Sequence, residues 1–165
     1  MSFISVLTPA WKAWAKLDGR MLAQSDFAEH LEDRSIDIVD PTAAEMLDIA
    51  QSFEATTKVD FESAERIGDG QRKLLYKETV TAKAGQSGEI VIPEKFAVGL
   101  QPFEGGEAYR VVARLRYRIV GSNLQIGYKF ERPEDVLREA FTDRMVAVAE
   151  ATGQTVLRGA APGAR

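Results

Sequence analysis

The stretch YRVVARLRYRIV, residues 109–120, places Arg110, Arg114, Arg116 and Arg118 in one short segment of a chain whose net charge is −4. Read as a strand, it separates into two faces: Tyr109, Val111, Ala113, Leu115, Tyr117 and Ile119 on one side, and Arg110, Val112, Arg114, Arg116, Arg118 and Val120 on the other. Guanidinium groups held in a row on a rigid scaffold are bidentate donors for phosphates or carboxylates. The first candidate chemistry is therefore anion recognition by Arg110, Arg114, Arg116 and Arg118, joined by Lys129 from the facing strand. Against it stands the ordinary behaviour of an antiparallel sheet, a solvated charged face on which a neighbouring strand presents Glu54, Asp60 and Glu62 for cross-strand ion pairs. Within the hairpin itself Glu131 is the one acid available, and Gly127 leaves Arg116 without a facing side chain.

Carboxylates supply the second candidate. From Met21 to Glu54 there are nine acids against one base, Arg34, whereas from Ala108 to Arg132 there are six bases against one acid. Asp26, Glu29, Glu32, Asp33 and Asp37 could imitate the phosphates of a nucleic acid and dock in a basic groove of another protein, or form a plain solvated helix surface. Their spacing is not that of a calcium loop.

The remaining catalytic vocabulary is thin. With no cysteine and a single histidine, His30, the chain has no thiolate nucleophile and no multi-histidine metal site. His30 lacks the context of a nucleophile triad and reads as a surface or helix-end residue. Trp11 and Trp14 stand at helical spacing as core anchors, and FEGGE, residues 103–107, reads as a tight turn rather than a phosphate loop. No catalytic constellation, metal site or cofactor motif emerges, so the expectation is a non-enzymatic protein without a cofactor.

These residues must be positioned by elements that the pattern outlines. SFISVLT alternates as a short N-terminal strand; Pro9 to Leu17 follows as a helix stopped by Gly19, and Ser25 is a plausible N-cap for DFAEHLED. Thr42 and Glu45 form a capping box for a helix burying Met46, Leu47, Ile49, Ala50 and Phe53. The period then changes from helical to alternating. A Gly68-Asp69 turn would pair Phe61 with Tyr76 and Thr57 with Val80, and Ile90 to Ile92 is a short strand. A Gly121-Ser122 turn would pair Ile119 with Leu124, Tyr117 with Ile126, Leu115 with Tyr128 and Ala113 with Phe130. Pro133 opens a last helix, ended by Gly153, whose stripe of Leu137, Phe141, Met145 and Val148 faces the sheet; QTVL could add a final strand.

The expected fold is α+β, an antiparallel meander with helices on one face. It forms a single domain over 1–158, with 1–54 mainly helical, 55–131 sheet and 133–152 helix, and 159–165 a flexible tail. At 165 residues, 45% apolar and 28% charged, the composition is that of a soluble globular chain. Without a membrane-length apolar run or a leader peptide pattern at its start, the expected compartment is the cytoplasm.

Four blocks, LTPAWKAWAKLDGRMLAQSDFAEHLED, IVDPTAAEMLDIAQSFEA, IPEKFAVGLQPFEGGEAYRVVARLRYRI and LQIGYKFERPEDVLREAF, resemble the C-terminal part of the YfdQ-like family, a domain of unknown function encoded by phages and prophages. The resemblance runs from about Leu7 to Leu157. It implies a family whose members are usually longer, with an N-terminal region preceding this part, and it carries over no catalytic or binding residue. It also implies a phage setting, in which small proteins without catalytic residues often act by binding. Together with the polarised charge, this makes the leading expectation an anti-CRISPR-like inhibitor of a host nucleic-acid-targeting defence complex. The alternative is a recombination or replication accessory that holds single-stranded DNA on Arg110, Arg114, Arg116, Arg118 and Lys129. An assembly protein, and an enzyme using only carboxylates, lysines or tyrosines, complete the range.

Overall fold

The computed structural model describes residues 3–56, 64–66, 72–74, 90–120 and 123–159. Among these the order is α1 (Pro9–Leu17), β1 (Met21–Ala23), α2 (Gln24–Asp33), a 3-10 turn (Ser35–Asp37), β2 (Ile38–Asp40), α3 (Ala43–Thr56), β3 (Ala64–Arg66), β4 (Arg72–Leu74), β5 (Ile90–Ile92), β6 (Lys95–Leu100), β7 (Tyr109–Val120), β8 (Asn123–Phe130) and α4 (Pro133–Thr152). The fold is α+β. A five-stranded antiparallel sheet runs β1-β8-β7-β6-β2, and β3-β4-β5 form a second, three-stranded antiparallel sheet.

The β7/β8 hairpin has the register expected from its alternation, with Ala113 opposite Phe130, Leu115 opposite Tyr128, Tyr117 opposite Ile126 and Ile119 opposite Leu124. The turn residues Gly121 and Ser122 lie outside the described residues. Val111, Ala113 and Leu115 are buried together with Leu124, Ile126, Tyr128 and Phe130. From β6, Phe96, Val98 and Leu100 join them, so the apolar sheet face is continuous across three strands.

Helix α1 places both tryptophans on this face. Thr8 caps it by accepting from the Trp11 amide at 3.1 Å, and Pro9 fits its first turn. Trp14 is fully buried among Phe96, Tyr128 and Phe130, while its indole N–H donates to Asp37 at 2.8 Å. Tyr128 donates to the Trp14 carbonyl at 2.6 Å, which satisfies its hydroxyl inside the core. Helices α2 and α3 cover the neighbouring part through Phe27, Leu31, Met46 and Ala50. The capping box is present: the Thr42 amide and hydroxyl both donate to Glu45 at 2.8 Å, and the Glu45 amide donates back to the Thr42 hydroxyl at 3.3 Å.

Several expectations fail for identifiable reasons. The N-terminal strand reduces to one bridge, Leu7 with Phe103, because Thr8 already turns into the α1 cap. Ser25 does not cap α2; the helix starts at Gln24 directly from β1, and Gln24 reaches across to the Ala50 carbonyl at 2.8 Å. β1 and β2, inside the supposedly helical third, are three-residue edge strands recruited by the sheet. Helix α3 continues through Thr56, past the expected helix-to-strand boundary.

Ala64 faces Leu74 rather than Lys73, one residue out from the register of a two-residue turn; the short, charged segments Ala64–Arg66 and Arg72–Leu74 specify register weakly. The expected pairs Phe61 with Tyr76 and Thr57 with Val80 lie outside the described residues. Residues 154–157 form no strand. The α4 stripe is only half-buried, with Ala140 the buried residue, because the helix leans on the 103–107 turn as well as on the sheet.

Candidate functional site

Alternation along β7 sends Arg110, Arg114, Arg116 and Arg118 to the outer face, all exposed. The strand beside them is β6, and it opposes Lys95 to Arg114, Ala97 to Val112 and Gly99 to Arg110. The cross-strand acids proposed from the sequence are thus replaced by a further cation. Asp60 and Glu62 lie outside the described residues, and Glu54 belongs to α3.

Neutralisation comes instead from the ends of other elements. Arg110 pairs with Asp40, at the end of β2, at 2.6 Å. Arg114 pairs with Glu131, just past β8, at 2.5 Å, and Lys95 reaches the same carboxylate at 3.0 Å. Glu131 is held below its ordinary carboxylate range first by the Arg114 hydrogen bond and then by Lys95, while Arg114 is pushed up by the same contact. Lys129 pairs with Asp18 at 2.6 Å, and the other oxygen of Asp18 accepts from the Phe130 amide at 2.8 Å, tying the end of α1 to β8. Lys129 is therefore a structural cation as much as a surface one.

The tip-ward half of the row differs. Arg118 donates to the neutral amide oxygen of Gln125 at 2.7 Å, and Arg116 has no ion pair or hydrogen bond among the described residues. Both line a cleft of about 610 Å³ with Gly19, Met21, Pro93 and Glu94. The space opposite Arg116 is not open, as the missing side chain of Gly127 had suggested: the Arg20 carbonyl passes over it, and a Cβ at 127 would meet that oxygen at 2.0 Å. The row thus resolves into a paired half, Arg110 and Arg114 with Lys129, and an uncompensated half, Arg116 and Arg118.

The acidic candidates divide differently. Phe27 and Leu31 fix the buried side of α2, so Asp26, Glu29, Glu32 and Asp33 project into solvent. None of these four forms an ion pair among the described residues. Asp37 does not belong with them; it is the acceptor for Trp14 and is taken up by the core. Immediately after α2, Ile36 is 91% exposed, an apolar residue at the edge of the acidic face that composition alone did not single out.

His30 also departs from expectation. It sits in the last turn of α2 as read, but its ring packs edge-on against Trp14 at 4.6 Å and parallel to Tyr128 at 6.1 Å. Burial lowers its pKa from the ordinary 6.5, with the Arg34 charge adding to the shift. FEGGE is the tight turn expected, with Gly105 at a φ of 67° and the Gly106 amide donating to the Phe103 carbonyl at 3.0 Å. Among the described residues no cluster of His, Cys, Asp and Glu converges as a metal site, and no helix is long and apolar enough to cross a membrane.

Comparison with family models matches residues 5–161 to one described as an uncharacterized conserved protein, DUF2303. No curated protein and no solved structure matches the chain.

Proposed function

The chain belongs to the DUF2303 family of uncharacterized conserved proteins, and we propose that it is a phage- or prophage-encoded, non-enzymatic binding protein that docks on and inhibits a host nucleic-acid-targeting defence complex, as an anti-CRISPR protein does. The observation that carries this reading is the difference between the two charged faces. Half of the arginine row is already neutralised by Asp40 and Glu131, and Lys129 by Asp18, whereas Asp26, Glu29, Glu32 and Asp33 are solvated and unpaired among the described residues. From Asp26 to Asp33 the helix rises about 10 Å, roughly the axial rise of three base-pair steps of a duplex. A basic groove built for nucleic acid would meet the sign of charge it binds over a similar length, and Ile36 would supply an apolar anchor beside it.

The phage setting is supported by the resemblance of the four sequence blocks to YfdQ-like domains, and with it we propose the bacterial cytoplasm as the site of action. Purified protein added to reconstituted defence complexes should compete with DNA for binding. Failure to compete with any complex from the host range would overturn the reading.

A second reading keeps the arginine face. Arg116 and Arg118, uncompensated beside a cleft, could take two phosphates of a single strand. It is the weaker one, because the other members of the row would have to leave their carboxylates first.

A further inference from the structure

Residues 3–7 run along the 103–107 turn as a short extended segment. The Glu104 amide donates to the Val6 carbonyl at 2.9 Å, the Thr8 amide to the Pro102 carbonyl at 3.0 Å, and Leu7 bridges to Phe103. Alternation along this segment is inverted for a strand that covers its own core. Ser5 turns inward, its hydroxyl buried with no hydrogen-bond partner among the described residues, while Ile4 and Val6 point outward, 72% and 52% exposed. Leu7 is the member that packs on the core. The residues past α4 return to the same region: the Arg158 guanidinium lies over the Phe141 ring at 5.4 Å, Phe141 packs on Phe103 at 6.2 Å, and Phe3 lies under the Arg144 guanidinium at 4.9 Å. Next to Arg158, Leu157 is 86% exposed.

Phe3, Ile4, Val6 and Leu157 together expose on the order of 450 Å² of apolar surface, the size of the largest patch on a typical monomer and of the kind that is often functional. An outward apolar face on a segment whose inward face carries an orphaned hydroxyl is arranged for burial from outside. Two copies meeting there would remove about 900 Å² at these side chains alone, and a rim of ordinary width takes the contact past the ~1,000 Å² of a specific interface. The rim suits a copy of the chain better than a surface of one sign. Arg158 and the Glu104 carboxylate are both without an ion pair among the described residues, and a two-fold axis can bring the cation of one copy to the acid of the other. We propose that this patch is the contact of a symmetric homodimer, in which Ile4, Val6 and Leu157 are covered by the same residues of a second copy. The contact uses none of the α2 acids, so its failure would leave the docking reading untouched.

Sedimentation equilibrium of the full chain tests this. A species of twice the monomer mass is expected, and it should persist at about 1 M salt, since apolar burial is not screened. Ile4→Ser and Leu157→Ser should each raise the dimer dissociation constant roughly tenfold or more, and the double variant should sediment as a monomer with the circular dichroism of the native chain. Ile36→Ser, which removes the exposed apolar residue beside α2, should leave the dimer intact. A native chain that stays monomeric up to about 100 µM would overturn the proposal, and if that monomer floats with phosphatidylcholine vesicles the patch belongs to a lipid surface instead. A dimer undiminished in the folded double variant would overturn it equally.

Discussion

The main-chain carbonyl of Arg20 lies directly over the Cα of Gly127, leaving a 2.0 Å gap where a side chain would begin. The contact joins the α1–β1 connection to the middle of the hairpin, since Met21 pairs with Gly127 and the Gly19 amide donates to the Tyr128 carbonyl at 2.8 Å. The obstructing atom is backbone and cannot swing away, so Gly127→Ala must break the β1–β8 pairing or shift the hairpin. The expected cost is at least about 3 kcal/mol, at the upper end of overpacking effects. Urea unfolding of the variant checks it; a loss below about 1 kcal/mol would mean that the connection yields easily.

His30 gives a pH dependence of known sign. Its folded pKa is lowered from 6.5 by burial against Trp14 and Tyr128, so the unfolded chain binds the proton more readily. Its contribution to stability is present above 6.5 and is lost as the pH falls from there through the lowered folded value. Because the chain has one histidine, its ring resonances titrate without ambiguity, with an expected midpoint below 6.5. His30→Phe, which keeps the ring packing, should flatten the slope of stability with pH in that window.

The arginine row predicts a salt dependence. If only Arg116 and Arg118 are available to phosphates, a fluorescent single-stranded oligonucleotide should bind weakly, with a log-log slope against salt no steeper than about −1.4. Arg116→Ala combined with Arg118→Ala should remove that slope, and Arg110→Ala should leave it nearly unchanged. A slope near −3.5 would mean that five cations engage phosphates and that the ion pairs with Asp40, Glu131 and Asp18 open on binding.

How much of this was legible in the sequence differs element by element. The β7/β8 hairpin could be read because both strands alternate and one register alone puts every large apolar residue on one face. The Thr42–Glu45 cap and the Pro133 and Gly153 limits of α4 are local chemistry, so they too were readable. Strand β6 was missed although Phe96, Val98 and Leu100 have the right period, because Ala97 and Gly99 between them are not polar and blur the alternation. β1 and β2 are too short to carry a period and exist because a distant strand recruits them. The same non-locality hid the partners of the arginines. Asp40 is seventy residues from Arg110 in the chain, and nothing local marks it or Asp18 as a neighbour of the sheet. Asp37 read like the other acids of its segment until the indole of Trp14 set it apart.

In the proposed function the solvated acids of α2, and not the arginine face, make the contact with a partner that binds nucleic acid. The most direct measurement is the concentration of protein needed to displace DNA from its target complex. It would be compared between the native chain and a variant carrying Asp26→Asn, Glu29→Gln, Glu32→Gln and Asp33→Asn, side chains that are exposed and unpaired among the described residues, so the fold should be retained. The account predicts that the folded variant loses displacement by at least about tenfold, while Arg116→Ala with Arg118→Ala displaces DNA as the native chain does. Full displacement by the neutralised α2 variant, or its loss in the arginine variant alone, would contradict it.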